Sequence, residues 1–164
     1  MKYTHIARYV ADTPWAILPS KMTEIVGVLA YRAAGHEFTR EEIEARIGDG
    51  GGSQDAQRAN GGAVAVIPIR GVIAHRMSAM EDSSGGVSAE GIGKMLRAAM
   101  ADQSVGTILL DIDSPGGTVT GVAELAAELF AMRGQGKKIV AQVNGMAASA
   151  AYWLAAQADE IVSL

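Results

Sequence analysis

From Ala63 to the last residue, short apolar runs alternate with amphipathic segments, and this alternation restricts the fold more than any other feature. AVAVIPI (63–69), VGTILLDI (105–112), KIVAQV (138–143) and EIVSL (160–164) have the length and β-branched content of strands. Pro68 cannot donate to a ladder, which places the first run at a sheet edge or a strand end. The second is apolar at almost every position, the pattern of a strand covered on both faces. Between these runs, 88–102, 118–134 and 149–159 carry helical periodicity, with Ser88 as the N-cap of the first. Residues 70–87 are polar and glycine-rich and read as loop. Strands that alternate with helices build βαβ units around a parallel sheet, so the fold class is α/β.

The N-terminal third obeys a different pattern. In residues 22–35, Ile25, Val28, Leu29 and Arg32 fall at helical spacing and Gly35 supplies the stop. In residues 39–48, Thr39 and Glu42 form a capping box before a second short helix. Residues 48–62 are dense in glycine and small polar side chains and cannot build a core. The expected organisation is a helical arm (1–47), a glycine-rich linker (48–62) and an α/β domain (63–164). With 164 residues, 49% of them apolar, the chain can bury one real core. A net charge of −4 without a basic cluster argues against nucleic acid. The absence of cysteine removes disulfide and thiol chemistry. No apolar run reaches the roughly 18 residues of a membrane span, and the N-terminus lacks a signal-peptide core, so a cytoplasmic location is expected.

Two strand-to-helix corners have unusual composition: DSPGGT (113–118) and NGMAASAAYW (144–153). In parallel sheets, ligands bind at the C-terminal ends of strands. A phosphate-binding loop does not fit the first corner, because Val122 stands where that motif needs lysine. Gly116 and Gly117 leave their N–H groups open to close approach, as an oxyanion hole requires. A tight turn with no ligand would use the same residues. In the second corner Ser149 sits among alanines at a helix start, where it could be an accessible nucleophile or a helix N-cap.

Taken together, the two corners resemble the signal-peptide-peptidase-A-type serine peptidases, which have the ClpP/crotonase fold. That resemblance covers residues 63–164 and implies Ser149 as the nucleophile. It implies oxyanion N–H groups from Gly116, Gly117 and Ala150. PWAILPSKMTEIVGVLAYRAAG (14–35) with the linker further resembles the arm of phage and prophage members, proteases of capsid assembly. The resemblance implies a Ser–Lys endopeptidase without cofactor or metal, acting on peptide or protein substrates such as scaffold and capsid proteins, and assembling as a homo-oligomer. It places the general-base lysine beyond Leu164, so the chain is expected to be incomplete at its C-terminus and inactive alone. Lys94, Lys137 and Lys138 occupy no suitable position. A crotonase-like acyl-CoA enzyme and an inactive assembly module are the alternatives.

The remaining polar and aromatic residues have plain expectations. His5, His36 and His75 share no metal spacing and read as surface or loop residues. Asp113 is expected to brace its turn, Tyr152 and Trp153 to anchor the core, and Met77 and Met80 to line a flexible cleft.

Overall fold

The computed structural model describes residues 4–39, 42, 58–59, 62–76 and 86–163. The main sheet contains β2 (Arg58–Ala59), β3 (Gly62–Arg70), β6 (Val105–Ser114), β8 (Lys138–Ala147) and β9 (Glu160–Ser163), side by side in that order. Every neighbouring pair from β3 to β9 is parallel, and only β2 runs antiparallel, against the start of β3. The crossovers are α3 (Ala89–Ala101), α4 (Val122–Met132) and α5 (Ala150–Ala155). The strand–helix alternation of the sequence is therefore the architecture, a mixed α/β fold consistent with a ClpP/crotonase-like domain.

Alternate strand residues build the core. Ile67 and Ile69 on β3, Ile108, Leu110 and Ile112 on β6, and Ile139 and Ala141 on β8 are buried. They pack in one cluster with Ile92 and Leu96 of α3, Leu125 and Leu129 of α4, and Leu154 of α5. Each large aliphatic side chain buried there contributes about 1.5–3 kcal/mol. On the opposite face Leu109 and Val140 are only half-buried, and Pro68, Asp113 and Asn144 are exposed. The β6 strand is thus not covered on both faces, as its apolar run suggests; among the described residues, only one face carries helices. Pro68 meets β6 on one side, while β2 pairs only at the start of β3, so the proline lies where an edge strand tolerates it.

A second, four-stranded sheet has the order β1 (Trp15–Ile17), β7 (Gly116–Thr118), β4 (Ile73–Ala74), β5 (Val87–Ser88). The sequence pattern assigns 70–87 to a loop and 113–118 to a turn. Strands of two or three residues are too short to show a period, so β4, β5 and β7 leave no sequence signal. Gly117 has a clear structural purpose here: a Cβ on it would overlap the backbone carbonyl of Ile73 on the neighbouring strand.

The arm begins with α1 (Thr4–Asp12), which the sequence pattern does not anticipate, and continues through β1 into α2 (Pro19–Ala33). Proline at the first position starts α2. Gly35, at φ +88°, follows its end as the left-handed residue expected there. The Thr39–Glu42 box is formed, with Thr39 N–H donating to Glu42 Oε2 (2.9 Å) and Glu42 N–H to Thr39 Oγ1 (3.2 Å). The rest of the 39–48 helix, most of the 48–62 linker, Met77 and Met80 lie outside the described residues. Arg58, Ala59 and Gly62, assigned to that linker, are strand residues.

Candidate active site

The two corners meet. Ser114, at the end of β6, aligns with Ala147 at the end of β8, and Ala148 N–H donates to Ser114 O (3.0 Å). A Cβ on Gly116 would stand 3.0 Å from Ala148 O and 3.2 Å from Ala150 N. Gly116 has φ +100° and Ser149 has φ 52°, ψ −112°. Ser149 is the one non-glycine with positive φ among the described residues. A serine in this conformation costs of order 1–3 kcal/mol and persists only when its surroundings force it. Here the force comes from both sides, since β8 ends on the Ser114 bond and α5 begins at Ala150.

The N-cap alternative for Ser149 does not match its geometry. Its side chain makes no capping hydrogen bond, and the residue is exposed. Its backbone carbonyl accepts from Trp153 N–H (2.9 Å), leaving the hydroxyl outside the helix ladder. Ala150, next in the chain, is fully buried, and its N–H belongs to the first turn, where no intrahelical acceptor exists. A nucleophile elbow also sets a serine on a sharp strand-to-helix turn with its hydroxyl exposed.

The glycine corner is held by a residue that the sequence does not single out. Ser114 Oγ donates to Gly71 O (2.6 Å) and accepts from Gly116 N–H (3.2 Å). Ser114 is fully buried, so this hydroxyl ties β6, the loop before β4 and the glycine turn together. The Gly116 amide is therefore engaged within its own turn. Gly117 is different. Leu18 N–H donates to Pro115 O (2.8 Å) and Val119 N–H to Pro14 O (3.0 Å), with Ala16 aligned on Gly117 between them. Antiparallel alternation makes Ala16 and Gly117 the hydrogen-bonded pair, so the Gly117 N–H faces the Ala16 carbonyl. The oxyanion of an acyl transfer would need this kind of donor, aimed at a peptide carbonyl.

No described lysine reaches this corner as a free base. Lys137 Nζ donates to the carbonyls of Ala99 and Asp102. Lys138 pairs with Glu160 (2.6 Å), which raises its pKa above the ordinary lysine value. Both stand at the start of β8, whose other end carries the site. Lys94 pairs with Glu90 (3.1 Å) and Lys21 with Glu24 (2.6 Å). The Lys94 hydrogen bond, ahead of its charge and that of Arg76, holds the Glu90 carboxyl below its usual range.

Other expectations need correction. Tyr152 and Trp153 are 58% and 39% exposed, so they do not anchor the core; Ala151, Leu154 and Ala155 fill that face of α5. His75 is not a plain loop residue, because its Nδ1 is buried and has no hydrogen-bond partner among the described residues. It packs on Gly121, where a Cβ would overlap the ring. Asp111 is buried and receives Arg70 Nη2 and Asn144 Nδ2, a cross-strand bridge between β3, β6 and β8. Asp113 lies against Gly145, where a Cβ would come within 2.8 Å of its carboxylate.

Residues 131–164, which include Ser149, match the model of peptidase family S49. The likeness is to peptidase family S49. The chain is 42% identical over 92 residues to the head-tail preconnector protein GP5 of Enterobacteria phage P21, covering 56% of this chain and 18% of that protein. It is 38% identical over 103 residues to Protease 4 of Salmonella typhi, covering 63% and 16%. Against the capsid assembly protease C of Escherichia phage lambda it is 34% identical over 140 residues, covering 82% and 31%. The chain thus spans less than a third of the length of these curated relatives. Among the described residues, no helix is long and apolar enough to cross a membrane.

Proposed function

We propose that the protein is a serine endopeptidase of the Ser–Lys type that acts on proteins of phage capsid assembly. Ser149 Oγ attacks the carbonyl carbon of a peptide bond, and its proton passes to a lysine other than the described ones. The negative charge that develops on the carbonyl oxygen is held by the N–H groups of Gly117 and Ala150. The protonated lysine then gives its proton to the leaving amine, and water releases the acyl group from Ser149 by the reverse steps. Gly116 serves by its positive φ, a conformation that glycine adopts without steric cost and that forms the turn before Gly117. The phage substrates follow the names of two relatives, and a cytoplasmic location and a homo-oligomeric state belong to the same proposal.

The observation that carries this reading is the strained, uncapped Ser149 beside the glycine turn. An acyl-CoA enzyme of the same fold would need the two N–H donors but no strained serine. The test is peptide cleavage by a form extended past residue 164 with a lysine-bearing segment, compared with its Ser149→Ala variant. The expected result is loss of at least about 10³-fold in turnover for the variant, with unchanged circular dichroism. Undiminished cleavage by Ser149→Ala would overturn the proposal.

A further inference from the structure

The strand that carries the oxyanion glycines has no free edge. Gly117 on β7 is aligned with Ile73 of β4 on one side and with Ala16 of β1 on the other. A peptide that offers its carbonyl to the Gly117 N–H must therefore displace one of these strands. β4 is not the one to leave, since Ile73 is fully buried in the core. β1 belongs to the arm, in which no described side chain from His5 to Thr39 is buried.

The register of β1 is the one a peptide would need to bring a carbonyl to the Gly117 N–H. It runs antiparallel to β7, with the Ala16 carbonyl opposite the Gly117 N–H and the Pro14 carbonyl accepting from Val119 N–H (3.0 Å). A Cβ on Gly116 would overlap the Ala16 oxygen while standing 3.2 Å from Ala150 N. The Ala16 oxygen and the two N–H groups assigned to the oxyanion thus share one small region. Ala16 is half-buried and packs against the core. Trp15, one residue earlier, turns to the arm itself: its Nε1–H donates to Val10 O (2.9 Å) and its ring meets Tyr9 edge-on.

We infer that Pro14–Leu18 is a tethered occupant of the peptide-binding strand, and that the site takes extended peptides with a small residue at the position of Ala16. The inference rests on the peptidase reading for the meaning of the site, and on the β1–β7 register for its occupancy. A tethered segment competes with free peptide through its high effective concentration, so unseating it raises the affinity for a peptide in trans.

The 164-residue chain itself suffices for the test. The probe is a fluorescein-labelled hexapeptide, Thr-Pro-Trp-Ala-Ile-Leu, copied from residues 13–18, with binding read by fluorescence anisotropy. Ala16→Pro removes the N–H that pairs β1 with Gly117, and Trp15→Gly removes the ties to Val10 and Tyr9. Each variant is expected to bind the probe at least tenfold more tightly than the unaltered chain. A probe with phenylalanine in place of its alanine should bind the same variants at least tenfold more weakly. Equal affinity of the unaltered chain and both variants, or no binding by any of them, would overturn the tethered occupant. Equal binding of the two probes would overturn the small-residue preference. Probe binding is read without any cleavage step, so the failure of Ser149 as nucleophile and the failure of this inference are read separately.

Discussion

Ser149 combines three properties that a serine seldom combines: an exposed side chain, no capping bond and a backbone in the left-handed half of φ space. The strain has a thermodynamic signature independent of catalysis. Glycine adopts φ 52°, ψ −112° without steric cost, whereas alanine keeps the strain. Relief of roughly 1–3 kcal/mol, offset by roughly 0.5–1 kcal/mol of added chain entropy in the unfolded state, leaves Ser149→Gly about 1 kcal/mol more stable than Ser149→Ala. Urea midpoints measured at equal m-value check this, and coincident midpoints would remove the strain from the account. The sequence shows that Ser149 is accessible, because its neighbours are alanines. It does not show the dihedral, which is imposed by the Ser114–Ala148 bond and the start of α5. Ser114 is hidden for the same reason: a serine before proline reads as part of a turn until Gly71 and Gly116 are seen around its hydroxyl.

Elements with their own periodicity are legible. The helix Ala89–Ala101 is visible because Ile92, Leu96 and Ala99 fall on one buried stripe and the Ser88 hydroxyl accepts from Gly91 N–H (3.0 Å). The strands β1, β4, β5 and β7 are not, because tertiary pairing alone makes two or three residues extended. The predicted helix at 149–159 is only Ala150–Ala155, and its exposed Tyr152 and Trp153 show that an aromatic pair need not mark the buried face. At the end of α3, the turn into β6 depends on a carboxylate. Asp102 accepts from the Ser104 hydroxyl (2.7 Å) and from Ser104 N–H (2.8 Å), and these bonds lower its pKa. A depressed folded-state pKa gives stability that is present above the unfolded-state value and lost as pH falls through the folded one. Asp102→Asn is therefore expected to lower Tm at pH 7, with the difference shrinking below about pH 4. A difference in Tm that stays constant from pH 7 to pH 3 would contradict the ionised cap.

At the scale of the whole molecule, the described structure leaves apolar surface open on several elements. All of β9 is exposed, with Ile161 at 44%, and α2 exposes Val26 and Tyr31. Phe130 and Tyr152 are also exposed, on α4 and α5. An outer strand with unpaired backbone groups is a template for pairing with another chain. The 164-residue chain is expected to self-associate at high concentration, and a monomeric mass by light scattering across that range would contradict this. The α/β domain is legible from alternation alone, whereas the seating of the arm on β7 is not, since WAI has no period of its own. The central claim concerns the chemistry where the arm, the glycine turn and Ser149 meet. Its most direct test is mass-spectrometric mapping of a fluorophosphonate adduct in a form extended past residue 164 with a lysine-bearing segment. The account predicts one adduct, on Ser149, which disappears in the Ser149→Ala variant; an adduct on another residue, or one that persists in that variant, would contradict it.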